Sequence, residues 1–392
     1  MIIWTPRHKT RLAIPQNCWR QVHECVARTN WLELCLHASK LNHGMPCVML
    51  PDMNNRLHHV VRVLEFEDGT RWFARVQMAK STDATARALQ SEVDVMTLVR
   101  ERTRIPVPRV FSYKIYDEHL IGAAFMLTEF LPGNVAIDLD GGNKVHQGRI
   151  PPGHRPSFYT AVVQIQAQFS FLRFPKIGSI TQNDDGTYDI GPIPNIGGPF
   201  STAAEFFTAW ASHANFPQSA DSILEMMGGG RGGAAAGGAG AALAVRVIKS
   251  IQDFPRAIQI LASRLSPTNN TGPFPLPYPD LYHSNIITDA SYNVVGVIDW
   301  SACAVPWELV EFPRALPRVM DASRNYDAAW QHVDEDMRVR RKRRGGLDGA
   351  LSGVLGEERA QTLAYALRCI WSWGSWDFMT RFWRGLGGER EN

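Results

Sequence analysis

The chain has 392 residues, a formal net charge of +3, 45% hydrophobic residues and 20% charged residues. This composition is typical of a globular protein with a sizeable core, and the small net charge does not by itself indicate a nucleic-acid partner. Six cysteines are dispersed without a C-x-x-C pair, which excludes the common zinc and dithiol motifs and suits a reducing compartment.

The first 44 residues predict a helical extension. Cys18, Val22, Cys25 and Val26 recur at helical spacing, which favours a helix that covers a neighbouring core. Residues 1–12 contain no long apolar run, and no later stretch reaches the roughly 20 apolar residues of a membrane span. We therefore expect no secretory signal and no membrane partner, and we expect a cytoplasmic monomer.

Three antiparallel strands are predicted after this extension, at residues 46–50, 58–66 and 71–78. An Asp-Gly dipeptide, the sequence most typical of a tight hairpin turn, joins the last two strands. The first two strands are joined by a predicted turn at residues 51–57, which contains no glycine.

The third strand contributes a cation and the next helix contributes an anion. A helix is predicted at residues 82–102, and Glu92 lies within the apolar stripe that includes Leu89 and Val93. An unpaired carboxylate is costly in such a place, and Arg75 is its natural partner. The alternatives are an arginine that faces solvent from an edge strand and a glutamate that reaches water at the rim of the stripe.

The middle of the chain, up to residue 275, predicts a strand followed mainly by helices. Prolines after residue 102 end the helix and begin an extended segment, and residues 125–129 form a strand that LPGN at 131–134 breaks. Residues 173–200 predict a loop with a small hairpin. The Gly/Ala-rich residues 228–242 formally contain G-x-G-x-x-G, but no strand precedes them, so they are interpreted as an insertion.

The C-terminal residues, 315–392, are predicted to be helical and include one basic run, Arg338–Arg344. Such a run can attract nucleic acid or an acidic partner, but it is more often a solvated loop. The adjacent Gly345 and Gly346 favour the loop, so we expect no nucleic-acid partner.

The strongest functional pattern is LPYPDLYHSNIITDASYNVVGVIDW, at residues 276–300. Two apolar runs flank a turn cluster, which predicts a β-hairpin. Asn285 precedes its first strand and Asp299 follows its second, so the two side chains are expected to be neighbours. Their oxygens suit Mg²⁺, and Asp280 is placed to accept a proton from an attacking hydroxyl. The alternative is an ordinary hairpin with exposed polar ends.

This stretch, continued by SACAVPWELVEFPR, resembles the core of the aminoglycoside phosphotransferase-like family, a branch of the protein-kinase-like fold, and is most similar to its fungal-type members. The family pattern is roughly H-x-D-x-x-x-x-N-I-x-V-D followed by G-V-I-D-W-E, and the resemblance covers most of residues 45–315. Two positions depart from it: Tyr278 replaces the His that precedes the catalytic Asp, and Ser301 replaces the Glu after D-W.

The resemblance implies an α+β, two-lobed, protein-kinase-like fold, with a small antiparallel β-sheet lobe at residues 45–131 and a larger, mainly helical lobe at residues 132–392. It also implies ATP and Mg²⁺ as cofactors and a hydroxyl of a small molecule as the acceptor. Asp280 would be the catalytic base, and Asn285 and Asp299 would hold the metal ion.

The resemblance further implies how the nucleotide would be held. Arg75, paired with Glu92, would position the phosphates where kinases use a lysine. Adenine would bind backbone groups near Glu129 and Leu131, in a hinge at residues 128–133. The turn at residues 51–57 would cover the phosphates.

One alternative remains open, a catalytically impaired pseudoenzyme that acts as a nucleotide-binding or protein-interaction module. Tyr278, Ser301 and the glycine-free turn favour this alternative. The retained Asp280, Asn285 and Asp299 favour the enzyme. The sequence does not identify the acceptor, because similarity of fold does not determine the substrate.

Overall fold

The structure is a computed structural model, which describes residues 16–55, 58–136, 150–169, 171–194, 196–213, 270–276, 285–300 and 303–304, together with isolated positions between 219 and 281. Asp280, Ser301, the insertion at 228–242 and the basic run Arg338–Arg344 lie outside the described residues.

Contacts divide the chain into two units. The first unit consists of residues 1–162, 181–188 and 280–301, and the second consists of residues 163–180, 189–279 and 302–392. The domain boundaries given in the sequence analysis stay a prediction.

The described helices are α1 (Gln16–Arg28), α2 (Trp31–Leu41), α3 (Asp83–Arg102), α4 (Arg155–Phe169) and α5 (Ala203–His213). The strands up to residue 135 are β1 (Cys47–Asn55), β2 (His59–Phe66), β3 (Arg71–Gln77), β4 (Val110–Lys114), β5 (Phe125–Glu129) and β6 (Asn134–Val135). The later strands are β7 (Arg173–Phe174), β8 (Gly178–Gln182), β9 (Tyr188–Gly191), β10 (Phe274–Pro275), β11 (Ile286–Thr288), β12 (Val294–Val297) and β13 (Cys303–Ala304). None of the described helices is long and apolar enough to cross a membrane.

A five-stranded antiparallel sheet forms the centre of the first unit, in the order β1-β2-β3-β5-β4. This sheet confirms the predicted antiparallel sheet. The β2–β3 hairpin turns at Gly69, whose φ of +82° suits glycine. Asp68 supports the turn, because its Oδ1 accepts a hydrogen bond of 2.8 Å from the backbone N–H of Thr70.

Strand β1 is longer than predicted, so the expected turn at residues 51–57 is wrong over most of its length. The chain stays paired with β2 as far as Asn55, and the pairing shifts register between Met49 and Met53. Pro51 lies within this irregularity, which is where a residue without an N–H fits an edge strand. Little of the expected phosphate-covering turn therefore remains in the described part of this segment.

Helices α1 and α2 cover one face of the sheet, as the helical spacing of the N-terminal residues predicted. They share a single core cluster with the strands, in which Val22, Cys25 and Leu34 are at most 1% exposed. The sheet side chains in this cluster are Val60, Leu64, Phe66, Trp72, Ala74, Val76, Phe125 and Leu127. Because the helices bury the sheet on this side, a ligand site on the sheet has to use its other face.

Arg28 joins α1 to the end of β3. Its guanidinium donates hydrogen bonds to the carbonyl oxygens of Gln77, Met78 and Ala79, at 2.6, 2.8 and 3.1 Å. Charged donors make stronger hydrogen bonds than neutral ones. The helical extension therefore fixes the strand that carries Arg75.

Helix α3 begins at a reciprocal cap and ends before a proline-rich segment. The Thr82 hydroxyl accepts from the Thr85 backbone N–H while the Thr85 hydroxyl accepts from that of Thr82, so two N–H groups at the start of the helix are satisfied. The helix ends at Arg102, four residues before Pro106.

The second unit contains a packed helix and short strand pairs. Helix α5 buries Phe206, Phe207 and Trp210, and β10 pairs with β7. The small hairpin expected within residues 173–200 is present as β8 and β9, and its residues 181–188 belong to the first unit. Strand β13 pairs with β8, with Cys303 opposite Ser179.

Candidate functional site

Arg75 lies on the face of the sheet that the N-terminal helices leave uncovered. Side chains alternate along a strand, and Trp72, Ala74 and Val76 of β3 belong to the core under α1 and α2. Phe73 and Arg75 therefore point to the other face, where α3 provides Glu92. The alternation of the sequence alone does not show which face of the sheet Arg75 occupies.

The predicted ion pair between Arg75 and Glu92 is present. Arg75 Nη1 lies 2.5 Å from Glu92 Oε1, and Nη2 lies 3.4 Å from Oε2. The two side chains are only 18% and 12% exposed, so solvent screens the pair less than it screens a surface pair. The two parallel contacts fix the plane of the guanidinium as well as its position.

His59 adds a second nitrogen-bearing side chain near Arg75. Burial, with smaller contributions from the positive charges of Arg75 and His58, lowers the pKa of His59 to about 3. A histidine with this pKa is neutral at physiological pH. It therefore adds no positive charge beside Arg75.

The shifted pKa of His59 predicts a loss of stability in acid. Between pH 6.5 and 3, the unfolded chain binds a proton at His59 that the folded chain does not bind, so stability falls as the pH decreases through this range. At pH 5 the loss is up to about 2 kcal/mol. We expect His59→Gln to reduce the difference between urea unfolding free energies at pH 7 and pH 5. His23→Gln, a change at an exposed histidine of α1, is the control, and we expect it to reduce the difference much less than His59→Gln does.

Glu129, one of the two predicted adenine-binding positions, has its N–H engaged by the protein. The Glu129 backbone N–H donates to the Arg109 carbonyl oxygen at 2.8 Å, and the Glu129 carboxylate accepts from the Arg109 N–H at 3.0 Å. A ligand at this position would have to use the backbone carbonyl oxygen of Glu129 rather than its N–H. Phe130 stacks on Phe73, with ring centroids 4.9 Å apart, on the same face of the sheet as Arg75.

Leu131, the second predicted adenine-binding position, lies against the hairpin of β11 and β12. A Cβ atom on Gly296 would collide with Leu131 Cδ1, so the absence of a side chain at Gly296 permits this approach. The segment after Leu131 also pairs with the hairpin, because β6 is the neighbour of β11, with Val135 opposite Ile287.

Strand β6 was not predicted, because LPGN indicates the end of a strand and a hinge. Two residues are too short for any periodic pattern, and their pairing partner lies about 150 positions away. The signal that was present is the pair of residues Gly133 and Gly296, since glycines in or beside strands often mark close approach of two backbones.

The predicted hairpin of β11 and β12 is confirmed. Ile286 lies opposite Val297, and the Ile298 N–H donates to the Asn285 carbonyl oxygen at 2.9 Å. The hairpin is also attached to the segment after α3, since the Val297 N–H donates to the Pro106 carbonyl oxygen at 2.9 Å. Asn285 and the residue before Asp299 are thus paired across the two strands.

Asp299 has a left-handed backbone conformation, which is uncommon for residues other than glycine. Its φ is +75°, in the left-handed region that costs about 1 kcal/mol or more for residues with a Cβ. Its side chain is exposed, whereas Trp300 is buried and donates from Nε1 to the Val297 carbonyl oxygen at 2.9 Å. Strained residues of this kind are concentrated at functional sites, and this strain motivates a functional hypothesis for Asp299.

The predicted metal ligands have suitable chemistry. Asn285 is 6% exposed and follows the segment that contains Asp280. An amide oxygen and a carboxylate at the base of one hairpin match the preference of Mg²⁺ for a few protein oxygens, with the other positions left to water and phosphate. No group of three or more His, Cys, Asp or Glu side chains that could hold a metal ion is present among the described residues.

Tyr278, which occupies the position of the family histidine, is part of the core of the second unit. It is 5% exposed, and its ring stacks on Phe169 with centroids 5.8 Å apart and an interplanar angle of 11°. A tyrosine buried in this way contributes aromatic packing at the position where the family pattern has a histidine.

Comparisons with known proteins give partial matches. No family model matches the sequence. Altered inheritance of mitochondria protein 9 of Candida tropicalis is 27% identical over 139 residues, which cover 33% of this chain and 21% of that protein. The probable acyl-CoA dehydrogenase IBR3 of Arabidopsis thaliana is 30% identical over 104 residues, which cover 26% of this chain and 12% of that protein. The matched segments thus span about a fifth or less of these relatives.

Several solved structures are similar over most of the chain. A protein of Thermobifida fusca assigned as a fructosamine-3-kinase has 15% identity and a TM-score of 0.48, over 91% of this chain and 97% of that one. The aminoglycoside phosphotransferase APH(4)-Ia, in a complex with AMP-PNP and hygromycin B, has 12% identity and a TM-score of 0.46, over 93% and 100%. An ethanolamine kinase of Plasmodium vivax has 10% identity and a TM-score of 0.43, over 87% and 81%. Similarity at this level defines neither a reaction nor a substrate for this chain.

Proposed function

We propose that this chain is a kinase-like phosphotransferase, which transfers the γ-phosphoryl group of ATP to a hydroxyl group of a small molecule. The observation that carries the proposal is the two-contact ion pair of Arg75 with Glu92, on the face of the sheet opposite α1 and α2. A strand cation held by a helix carboxylate is the arrangement that kinases use to position nucleotide phosphates. The proposal includes the two-lobed protein-kinase-like fold.

Arg75 is suited to this role for two reasons. The guanidinium keeps its positive charge at any physiological pH, and its planar set of N–H donors matches the oxygens of a phosphate group. Glu92 fixes the plane of the guanidinium before the nucleotide arrives, so little side-chain freedom is lost on binding. In this proposal Arg75 contacts phosphate oxygens and Glu92 acts only by orienting Arg75.

The hairpin would supply the remaining groups. Asn285 and Asp299 would hold Mg²⁺, which neutralises charge on the phosphates during transfer. Asp280 would accept the proton of the attacking hydroxyl or orient it. Catalysis in this class depends mainly on positioning and charge stabilisation, so the preorganised side chains matter more than any covalent step.

The nucleotide base would bind at the segment from Glu129 to Leu131. The Glu129 N–H is already paired with Arg109, so the proposal assigns the carbonyl oxygen of Glu129 and backbone groups near Leu131 to adenine. Phe73 and Phe130, which stack on each other on the Arg75 face, provide apolar surface near this position. We further propose that the protein acts as a monomer in the cytoplasm.

The first experiment is a thermal shift of the full chain with ATP, with and without Mg²⁺. A ligand that binds only the folded state raises the melting temperature, and at 100 times its Kd it adds about 2.7 kcal/mol of stability. We expect a rise with Mg²⁺ and ATP together and a much smaller one with ATP alone. Phosphate transfer is then measured on a panel of aminoglycosides, macrolides, ethanolamine and fructosamines. An unchanged melting temperature at saturating Mg²⁺ and ATP would contradict the proposal.

The second candidate function is a nucleotide-binding module without transfer activity. The observation that favours it is Tyr278, which is packed on Phe169 where the family pattern has a histidine. This alternative predicts the same Mg²⁺-dependent thermal shift but no phosphate transfer to any acceptor. Tyr278→His tests this alternative. A gain of transfer activity in the variant would show that the tyrosine at this position is the cause of the missing activity in the wild type.

A further inference from the structure

A buried carboxylate on α3 has no part in the proposed transfer reaction. Asp94 is 2% exposed and lies two residues after Glu92. Its Oδ1 accepts from Gln90 Nε2 at 2.8 Å, and its Oδ2 accepts from the Gln182 backbone N–H at 3.1 Å. Burial raises the pKa of Asp94 above its usual value, and the two hydrogen bonds offset this rise only in part. Because burying a carboxylate is costly, packing alone would favour an apolar residue here.

The hydrogen bond to Gln182 connects α3 to residues 182–188, which we call the contact segment, and Tyr188 makes a second connection. The Tyr188 hydroxyl donates to Glu101 Oε2 at 2.8 Å, and Gln182 Nε2 donates to the Tyr188 hydroxyl at 3.2 Å. Glu101 follows Asp94 by seven residues, or about two turns, so both acceptors lie on one face of α3. Two contacts that are two turns apart restrict rotation of the helix as well as its position.

Asp94 is also connected to the five-stranded sheet. Gln90 Nε2, which donates to Asp94, also donates to the Tyr113 hydroxyl of β4 at 3.1 Å. Glu92 lies about 200° around the helix from Asp94, at about 100° for each residue. Helix α3 is therefore held by the contact segment on one side and by Arg75 on another.

We propose that Asp94 is a positioning residue, which fixes the rotation of α3 through the contact segment and thereby holds Glu92 against Arg75. Side chains extend about 5–6 Å from a helix axis, so a rotation of about 20° would move their ends by about 2 Å. That displacement exceeds what a hydrogen bond tolerates. This inference depends on the proposed function in one respect, namely that Arg75 binds the phosphates of the nucleotide.

The test is a double-mutant cycle on the affinity for Mg²⁺ and ATP, measured by titration calorimetry. Asp94→Asn keeps the size of the side chain but replaces one acceptor oxygen with a donor. We expect it to weaken binding at least fivefold in the wild-type background. In the Glu92→Gln background we expect a change of less than twofold, since residues that act through one contact are not additive. Equal effects of Asp94→Asn in both backgrounds would overturn the proposal.

Asp185→Asn is the matched control. Asp185 lies in the turn between β8 and β9, within the contact segment, and its carboxylate accepts from the Thr187 N–H and hydroxyl at 2.9 and 2.6 Å. The substitution makes the same chemical change without touching α3. We expect it to leave the affinity for Mg²⁺ and ATP within twofold of wild type, and a loss as large as that of Asp94→Asn would contradict a role specific to Asp94.

Hydrogen exchange without nucleotide separates this inference from the proposed function. We expect Asp94→Asn, and not Asp185→Asn, to increase amide exchange in α3 over residues 90–101 and in β3. If the wild type binds no ATP, the proposed function fails, but this exchange pattern would still support the positioning role. An increase confined to residues 178–191 would overturn the role whether or not ATP binds.

Discussion

Asp299→Ala is expected to abolish the Mg²⁺-dependent part of the thermal shift that ATP produces in the wild type. The carboxylate is the only charged oxygen assigned to the metal by the hairpin pattern, and Mg²⁺ binds weakly to sites without one. At an ATP concentration of 100 times Kd, the lost stabilisation is about 2.7 kcal/mol, which corresponds to several degrees for a domain of a few hundred residues. Differential scanning fluorimetry of both proteins, with and without Mg²⁺, measures the change.

Asp299→Asn distinguishes the effect of the carboxylate charge from the effect of backbone strain. Alanine is strained at the φ of +75° observed at this position, so the alanine variant is also expected to unfold at a lower temperature without ligand. Asparagine tolerates the left-handed conformation about as well as aspartate, so its melting temperature without ligand should stay near that of the wild type. We expect the Mg²⁺-dependent thermal shift of Asp299→Asn to be a small fraction of the wild-type shift. A shift as large as that of the wild type would show that the Asp299 carboxylate does not hold the metal.

Asp289→Asn is the control for Asp299, because it makes the same change at the turn end of the same hairpin. Asp289 Oδ1 accepts from the N–H groups of Ser291 and Asn293, at 2.8 and 2.9 Å. Its substitution should lower the melting temperature without ligand, since it removes the turn's charged acceptor. The additional shift caused by Mg²⁺ and ATP should be retained.

The second large effect is expected for Asp280. With the best acceptor of the panel, Asp280→Asn should decrease kcat by roughly 10²- to 10⁴-fold, the usual range for the loss of a general base. The Mg²⁺-dependent thermal shift should be unchanged, because Asp280 is not assigned to the metal. Initial rates of ADP release over a range of acceptor concentrations measure kcat separately from KM.

This combination of results distinguishes a catalytic group from a binding group. A variant that loses transfer but keeps nucleotide binding assigns Asp280 to the chemical step. A variant that keeps the wild-type kcat would show that another group accepts the proton, and the proposed role of Asp280 would then be wrong. Asp289→Asn serves again as the control and should retain kcat within a few-fold.

The local pattern of the sequence was sufficient for several elements. The hairpin of β11 and β12 was predicted because two apolar runs around a turn cluster are a signal contained in fewer than twenty residues. Helix α3 was predicted to within one residue, because its apolar stripe has helical spacing and the prolines after Arg102 end it. The ion pair of Arg75 with Glu92 followed from a carboxylate in an apolar face, since burial requires a partner.

Other features depended on residues far apart in the chain. The extent of β1 was wrong because β2 supplies hydrogen bonds to a segment whose own residues read as a turn, so tertiary pairing overrides local propensity. Strand β6 exists only because β11 pairs with it. The hydrogen bond from Gln182 to Asp94 spans 88 positions, and no periodicity within either segment indicates it.

The residue types of the proposed site follow from a local pattern, because Asp280 and Asn285 are five positions apart and Asp299 follows the hairpin that begins after Asn285. Packing between distant segments determines which face of the sheet Arg75 occupies, because α1 and α2 bury the opposite face. The contacts of Asp94 likewise depend on packing between distant segments, because Gln182 lies 88 positions away in the sequence. Local patterns select the chemical groups, and non-local packing sets their orientation.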